Sequence, residues 1–236
     1  ETIVKKGLEF ADGSCTFGFQ GGEPTLIGLD FYKELISYEK KYNKKSIQIN
    51  NAIQTNGMVI DDEWAKFLSE NNFLVGLSLD GPKNINDLYR EDFSHGGSFG
   101  QIMKTINLFN KYDVQYNILS VVTYNSSKHI SKIYNFFKKH KLNYLQFIPC
   151  LDPLDEVHGE NIYSLTSSQY GDFLNTLFDH WYRDIIKGET ISIRYFENII
   201  TLAMGYNPES CGIMGICAFQ FVIEANGDVY PCDFYV

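Results

Sequence analysis

The chain has 236 residues, 44% hydrophobic and 15% aromatic, enough to bury a sizeable core as one large α/β domain or two small ones. Its formal charge of -9, from 20 Lys and Arg against 29 Asp and Glu, argues against a nucleic-acid surface, because counterion release needs clustered basic side chains. No apolar run approaches the roughly 18 residues of a spanning helix and no signal-peptide pattern opens the chain, so the expected setting is soluble and cytoplasmic, with no membrane partner.

Residues 1–10 read as the last turns of a helix ending at Asp12-Gly13, and without an initial Met the chain reads as an excerpt. Short β-rich runs then recur at 15–19, 47–53, 74–78, 116–122 and 144–148, each followed by a helix-period segment. Trp64, Phe67 and Leu68 form one apolar stripe, Phe99, Ile102, Ile106 and Phe109 a second, and Tyr170, Phe173, Leu174, Leu177, Phe178 and Trp181 a third. Asp30, the run Asp61-Asp62-Glu63 and the run Thr166-Ser167-Ser168 precede helical segments, where side-chain acceptors and negative charge meet free N–H groups. Lys138-Lys139-His140-Lys141 closes another helix, where cations complement the macrodipole.

This alternation predicts a parallel sheet covered by helices, either open or curved into a barrel, with ligands at the strands' C-terminal ends. Polar turns fall there in series: Gln20-Gly21-Gly22-Glu23, Gln54-Thr55-Asn56-Gly57, Ser78-Leu79-Asp80-Gly81 and Cys150-Leu151-Asp152-Pro153. In the first of them two glycines let the backbone approach a ligand, Pro24 fixes the exit and Glu23 leaves a carboxylate beside exposed backbone groups. Ser78 and Arg90 could jointly hold a ligand carboxylate, although a surface pair of Arg90 with Asp87 or Asp92 is the usual alternative.

After about Gly188 the rhythm gives way to Ile191-Ser192-Ile193-Arg194-Tyr195, a helix-like stretch and a loop-rich cysteine segment. The 5 cysteines, Cys15, Cys150, Cys211, Cys217 and Cys232, are an odd number that closes no disulfide framework. Cys211, Cys217 and Cys232, with glycines between them, suggest soft-metal ligation by an iron–sulfur cluster or zinc, or three unrelated thiols. Residues 221–232 read as a hairpin turning at Asn226-Gly227, which delivers Cys232 and Asp233 together at a strand end. Asp233 is either a general base beside a metal-bound thiolate or a surface carboxylate. The histidines show no metal spacing, and GxGxxG, GxxxxGK[ST] and GxSxG are all missing.

Taken in order, QGGEPT, QTNG, GLSLDGP, Arg90, FIPCLDP, SIRYF and VYPCDFYV resemble the anaerobic sulfatase-maturating enzymes, a radical S-adenosylmethionine (SAM) branch with a SPASM-type cluster domain. The likeness runs along essentially the whole chain. It implies an α/β fold: a partial (β/α)6 barrel over 1–188 whose first strand and cysteine loop lie upstream, then the start of an auxiliary-cluster domain over 189–236. It also implies S-adenosyl-L-methionine as cofactor, held by Gln20, Gly21, Gly22 and Glu23 at the methionine amino group and neighbouring sugar. Ser78 and Arg90 would take its carboxylate, Leu151 would flank the adenine, and Thr55 and Asn56 would be further contacts.

On the same resemblance, Cys211, Cys217 and Cys232 would ligate an auxiliary [4Fe–4S] cluster, with the fourth ligand downstream, and Asp233 would be the catalytic base. The implied reaction oxidises a cysteine or serine of a sulfatase polypeptide to Cα-formylglycine. A 5′-deoxyadenosyl radical removes the Cβ hydrogen, and electrons come from a donor such as flavodoxin or ferredoxin. No CxxxCxxC is present, so the radical-generating cluster's ligands are absent from these residues and the isolated chain is expected to be inactive. Two alternatives stand beside it: a SPASM-type enzyme modifying a ribosomal peptide, and a non-catalytic, zinc-stabilised binding domain.

Overall fold

Side-chain alternation decides which face of each strand is covered and which is left open. The computed structural model describes residues 1–153, 155, 157–217 and 220–233, and the chain divides into two compact units, Glu1–Ser192 and Ile193–Val236.

In the first unit, α1 (Thr2–Phe10) leads into β1 (Ser14–Phe19), and a 3₁₀ turn (Pro24–Ile27) into α2 (Leu29–Tyr42). Then follow β2 (Gln48–Thr55), α3 (Asp62–Glu70), β3 (Phe73–Ser78), the short α4 (Lys83–Asn86), α5 (Phe99–Lys111) and β4 (Gln115–Val122). The short α6 (Tyr124–Ser127), α7 (Ile130–Lys139), β5 (Tyr144–Pro149) and α8 (Ser167–Ile185) complete the rhythm. A two-residue strand, β6 (Ser192–Ile193), ends the sheet, whose order is β1-β2-β3-β4-β5-β6, with the five longer strands pairing in parallel. The expected α/β class, a helix-covered parallel sheet in a partial barrel, is borne out.

Register aligns Ile53 with Val75, Leu77 with Ile118 and Ile118 with Leu145, and all five are buried beneath the helices. Aromatic edges lock the two layers. Tyr32 of α2 meets Phe19, Trp64 and Phe73, Phe109 of α5 meets Tyr116, and Phe147 joins Phe137 of α7 to Phe173 of α8. On the opposite, concave face coverage is uneven among the described residues: Leu74 is 50% exposed and Tyr144 62%, while Ser78 and Leu119 are buried. Phe178, expected in the third stripe, lies on the outer side of α8 and is exposed.

Asp61 caps α3 through the Trp64 N–H, and Thr166 and Gln169 form a capping box on α8. Asp30 does not cap α2. The chain enters that helix through Gly28 at φ 92, so the helix starts earlier and Asp30 falls in its first turn, making no side-chain cap. Lys138 does more than complement the end of α7: it pairs with Asp184 of α8 at 2.8 Å, and Tyr134 donates to the same carboxylate at 2.9 Å. No helix among the described residues is long and apolar enough to cross a membrane.

In the second unit, α9 (Arg194–Ala203) and the loop after it are tied by Asn198, whose Oδ1 accepts from the Ser210 N–H at 2.9 Å. A short α10 (Cys211–Met214) stops at Gly215 in the left-handed region. β7 (Val222–Ile223) and β8 (Val229–Tyr230) then pair antiparallel. The hairpin forms as expected, but its loop is not a two-residue Asn-Gly turn. Gly227 donates to the Glu224 carbonyl at 2.9 Å and Glu224 to that of Asp228 at 3.0 Å, a wider loop in which Gly227, at φ 92, takes the left-handed position.

One buried polar pair in the helix layer is incompletely satisfied. Asn51 Nδ2 donates to Glu39 Oε2 at 3.2 Å, while Glu39 Oε1 and Asn51 Oδ1 have no partner among the described residues. Burial pushes the Glu39 carboxyl above its ordinary 4.5, only partly offset by the Asn51 hydrogen bond and Lys40. A raised carboxyl favours the folded state below the unfolded pKa, and this contribution is lost as pH rises from 4.5 through the higher folded value. Glu39→Gln supplies an N–H for Asn51 Oδ1 and removes the charge. It should raise stability at pH 7 by about 1–2 kcal/mol and flatten the dependence above pH 4.5, read from urea denaturation at a series of pH values.

Candidate functional site

The end of β1 carries Gln20, exposed and on the concave side, followed by Gly21 at φ 88 and Gly22 at φ 53, with open space where a β-carbon of either would stand. Left-handed backbone and missing side chains leave the main chain of this turn open to a ligand. Pro24 is fixed from beneath, since the buried Tyr32 donates its hydroxyl to the Pro24 carbonyl at 3.0 Å.

Glu23 does not present a free carboxylate. Its Oε1 accepts from the Thr25 N–H at 3.0 Å, the Thr25 hydroxyl at 2.5 Å and the Thr55 hydroxyl at 2.7 Å, while Oε2 accepts from the Asn56 N–H at 2.7 Å. The side chain thus clamps the end of β1 to the end of β2. Thr55 Oγ1 also accepts from the Gly57 N–H, and the Gly57 carbonyl accepts from Thr105 of α5. Gly57 lies at φ 73, and a β-carbon there would come within 2.7 Å of Leu77 Cδ1.

Beyond β3, Asp80 organises the next segment. It takes Arg90 in a two-point pair, Nε to Oδ2 at 2.6 Å and Nη2 to Oδ1 at 3.1 Å, and its Oδ1 accepts from the Val121 N–H at 2.8 Å. Asn86 Oδ1 accepts from the Asp80 N–H, and its Nδ2 donates to Asp87 and to Ser98, whose hydroxyl returns to the Arg90 carbonyl. The partner of Arg90 is therefore Asp80, not Asp87 or Asp92, which are taken by Lys83 and by the Ser94 and Gly96 N–H groups. Two of five guanidinium N–H donors are committed to Asp80, which leaves three over.

Arg90 and Asp80 line a cavity of about 290 Å³ shared with Val121, Thr123, Cys150 and Tyr163, at the C-terminal ends of β3, β4 and β5. Ser78 is buried beside this rim and Leu151, just past Cys150, is 69% exposed. Burial pushes the Cys150 thiol above its ordinary value, and the charges of Asp152 and Asp80 add to it.

The structure thus joins Glu23 with Thr55 and Asn56, and gives Arg90 the buried partner that sequence reasoning missed. Its signal was the aspartate two residues past the end of β3. Cys211, Cys217 and Cys232 lie in the second unit and are not drawn together: among the described residues no three His, Cys, Asp or Glu side chains stand where they could share a metal. Cys232 Sγ lies 3.1 Å from Asp233 Oδ1, and the last three residues of the CDFYV motif lie outside the described residues.

The sequence model of the Radical SAM superfamily matches residues 1–137. The chain belongs to the radical SAM superfamily. It is 54% identical over its whole length to the cysteine-type anaerobic sulfatase-maturating enzyme of Clostridium novyi, of which it covers 63%. It is 36% identical to the serine-type enzyme of Bacteroides thetaiotaomicron, over 93% of this chain and 56% of that one. A solved structure, native anSMEcpe with bound AdoMet and Kp18Cys peptide, superposes at a TM-score of 0.96, with 50% identity, over all of this chain and 65% of that chain. The radical SAM chain thus spans less than two thirds of these relatives. The resemblance to the sulfatase-maturating branch is borne out by their names.

If Glu23 is a clamp, Glu23→Ala frees several donors at two strand ends and should cost about 2–4 kcal/mol of stability, measured by urea denaturation. The raised Cys150 thiol predicts slow alkylation at pH 7.5: iodoacetamide followed by peptide mass spectrometry should label the exposed Cys211 and Cys217 first.

Proposed function

We propose that this chain forms the cofactor- and substrate-holding part of a radical SAM enzyme that oxidises a cysteine of a sulfatase polypeptide to Cα-formylglycine. The observation that carries the reading is the 50% identity, at a TM-score of 0.96, to a structure that holds both AdoMet and a cysteine peptide. Cysteine is favoured over serine because cysteine-type relatives reach 54% and 50% identity, against 36% and 30% for serine-type ones.

The residues fit S-adenosylmethionine on their own chemistry. The open main chain at Gly21 and Gly22 suits its amino group, and the free donors of Arg90, with the Ser78 hydroxyl, suit its carboxylate. The Asp80 carboxylate already balances the guanidinium, so a zwitterionic methionyl end enters without stranding a charge. Gln20, Thr55, Asn56 and Leu151 complete the assigned rim, with Leu151 offering an apolar surface for adenine. When bound beside a reduced [4Fe–4S] cluster, the cofactor supplies a radical able to take a hydrogen atom from Cβ of the target residue.

In the proposed chemistry Asp233 takes the thiol proton. Its Oδ1 already neighbours Cys232, leaving Oδ2 as the acceptor. The substrate radical gives its remaining electron to a one-electron acceptor such as an oxidised flavodoxin- or ferredoxin-type carrier, leaving a thioaldehyde, and water adds at its carbon and expels hydrogen sulfide. Because Cys211, Cys217 and Cys232 do not form a ligand set as placed, no step is routed through an auxiliary cluster on them. Reducing equivalents would come from a flavodoxin- or ferredoxin-type donor.

The deciding experiment incubates the reconstituted protein, expressed from its complete reading frame, with a Cys-x-Pro-Ser-Arg peptide and its Ser counterpart. Formylglycine should appear by mass spectrometry from the cysteine peptide, and failure on both peptides would reject the reading. Arg90→Ala should weaken S-adenosylmethionine binding by about 10- to 100-fold in equilibrium dialysis.

A further inference from the structure

Arg90 lies in a loop whose main chain is held without help from its own side chain. The Arg90 N–H donates to the Asn86 carbonyl at 3.1 Å, and the Arg90 carbonyl accepts from the Ser98 N–H at 3.2 Å and from the Ser98 hydroxyl at 3.0 Å. Asn86, fully buried, ties this turn to the Asp80 N–H and to Ser98, and Asp87 accepts from the Phe99 N–H at the start of α5 at 2.9 Å. The returning limb is close to Asp87 too: a β-carbon at Gly97 would come within 2.1 Å of Asp87 Oδ2. The aim of the guanidinium is a separate matter. Among the described residues it is set by Asp80 alone.

A guanidinium presents one fork of donors at its side, from Nε and Nη2, and another at its end, from Nη1 and Nη2. Asp80 fills the side fork, with Nε to Oδ2 at 2.6 Å and Nη2 to Oδ1 at 3.1 Å, and the end fork is left over. We propose that Asp80 is a positioning residue that turns the end fork of Arg90 to the cofactor and so makes this rim selective for a carboxylate-bearing methionyl group. The proposal rests on the S-adenosylmethionine reading above and deepens it, since it names the group that confers that selectivity. Asp80 is itself held from two directions: its N–H donates to Asn86 Oδ1 at 3.2 Å, and its Oδ1 accepts from the Val121 N–H of β4 at 2.8 Å. Only 10% of the Asp80 side chain and 22% of that of Arg90 is exposed, so water screens the pair weakly and the plane of the carboxylate fixes the plane of the guanidinium. A second carboxylate received end-on forms another two-point pair in that plane, whereas a ligand without one leaves the donors unpaired.

Two effects of Asp80 oppose each other at this site. As a charge it repels the incoming carboxylate, so neutralising it would tighten binding; as a support it aims the donors, so neutralising it would weaken binding. Orientation wins under the proposal. A guanidinium released from its side partner must give up rotamer freedom when the ligand binds, and its freed side fork competes with the end fork for the same carboxylate.

Asp80→Asn separates the two effects, because the amide keeps an acceptor for the Val121 N–H while losing the charge and one of the two acceptors for Arg90. Equilibrium dialysis on the protein expressed from its complete reading frame measures S-adenosylmethionine and, as control, 5′-methylthioadenosine, an uncharged nucleoside thioether with no carboxylate. The variant should bind S-adenosylmethionine about 5- to 20-fold more weakly and the control within about twofold of wild type. Arg90→Lys keeps the charge and has no fork; it should show the same selective loss, and it decides the matter alone if Asp80→Asn does not fold. Unchanged or tighter binding of S-adenosylmethionine by either variant overturns the proposal, since charge alone then governs the site. Equal weakening of both ligands also overturns it, because that marks a general structural role. In those cases binding by wild type leaves the cofactor reading standing, whereas a wild type that binds no S-adenosylmethionine overturns both.

Discussion

The carboxylate of Glu23 fixes the geometry on which the rim of strand ends depends. Two parallel strands joined through a helix have no direct reason to hold their C-terminal loops in register, since the ladder ends before the loops begin. Glu23 supplies that reason by gathering donors from its own loop and from the end of the neighbouring strand. With the carboxylate turned inward, the glycine main chain on the other side of the turn remains free. Tyr32, packed among Phe19, Trp64 and Phe73, then anchors the exit of the turn to the aromatic core. Rigidity of the rim is therefore borrowed from the helix layer.

The same economy recurs at the end of β3. Asp80 is buried, and its partners come from the following loop and from β4. A two-point pair orients the guanidinium and leaves donors over, which a single-point contact with a surface carboxylate would not achieve. Both clamps are acidic side chains, and both act on a neighbouring strand end.

Periodicity made the architecture legible: the strand runs, the helical stripes and the parallel order all follow from local pattern. The rim was legible as a series of polar turns, but its internal wiring was not. The donors to Glu23 come partly from Thr55 and Asn56, far along the chain, and Asp87 and Asp92 are nearer to Arg90 in sequence than its true partner. Local reasoning favours near neighbours, whereas a parallel sheet brings together residues separated by an entire βα unit. Gly28 shows the same limit at small scale, because the left-handed entry to α2, not the acidic residue, sets where the helix begins. Cys211, Cys217 and Cys232 lie near one another in sequence, and among the described residues no three such side chains stand where they could share a metal.

Alternation along each strand divides the first unit's residues into two populations with separate duties. One population, turned to the helices, carries most of the packing; the other, on the concave side, carries less, although Ser78 and Leu119 are buried there. A scaffold so partitioned is open to evolutionary retargeting: related enzymes can drift toward new substrates one concave position at a time, without passing through unfolded ancestors.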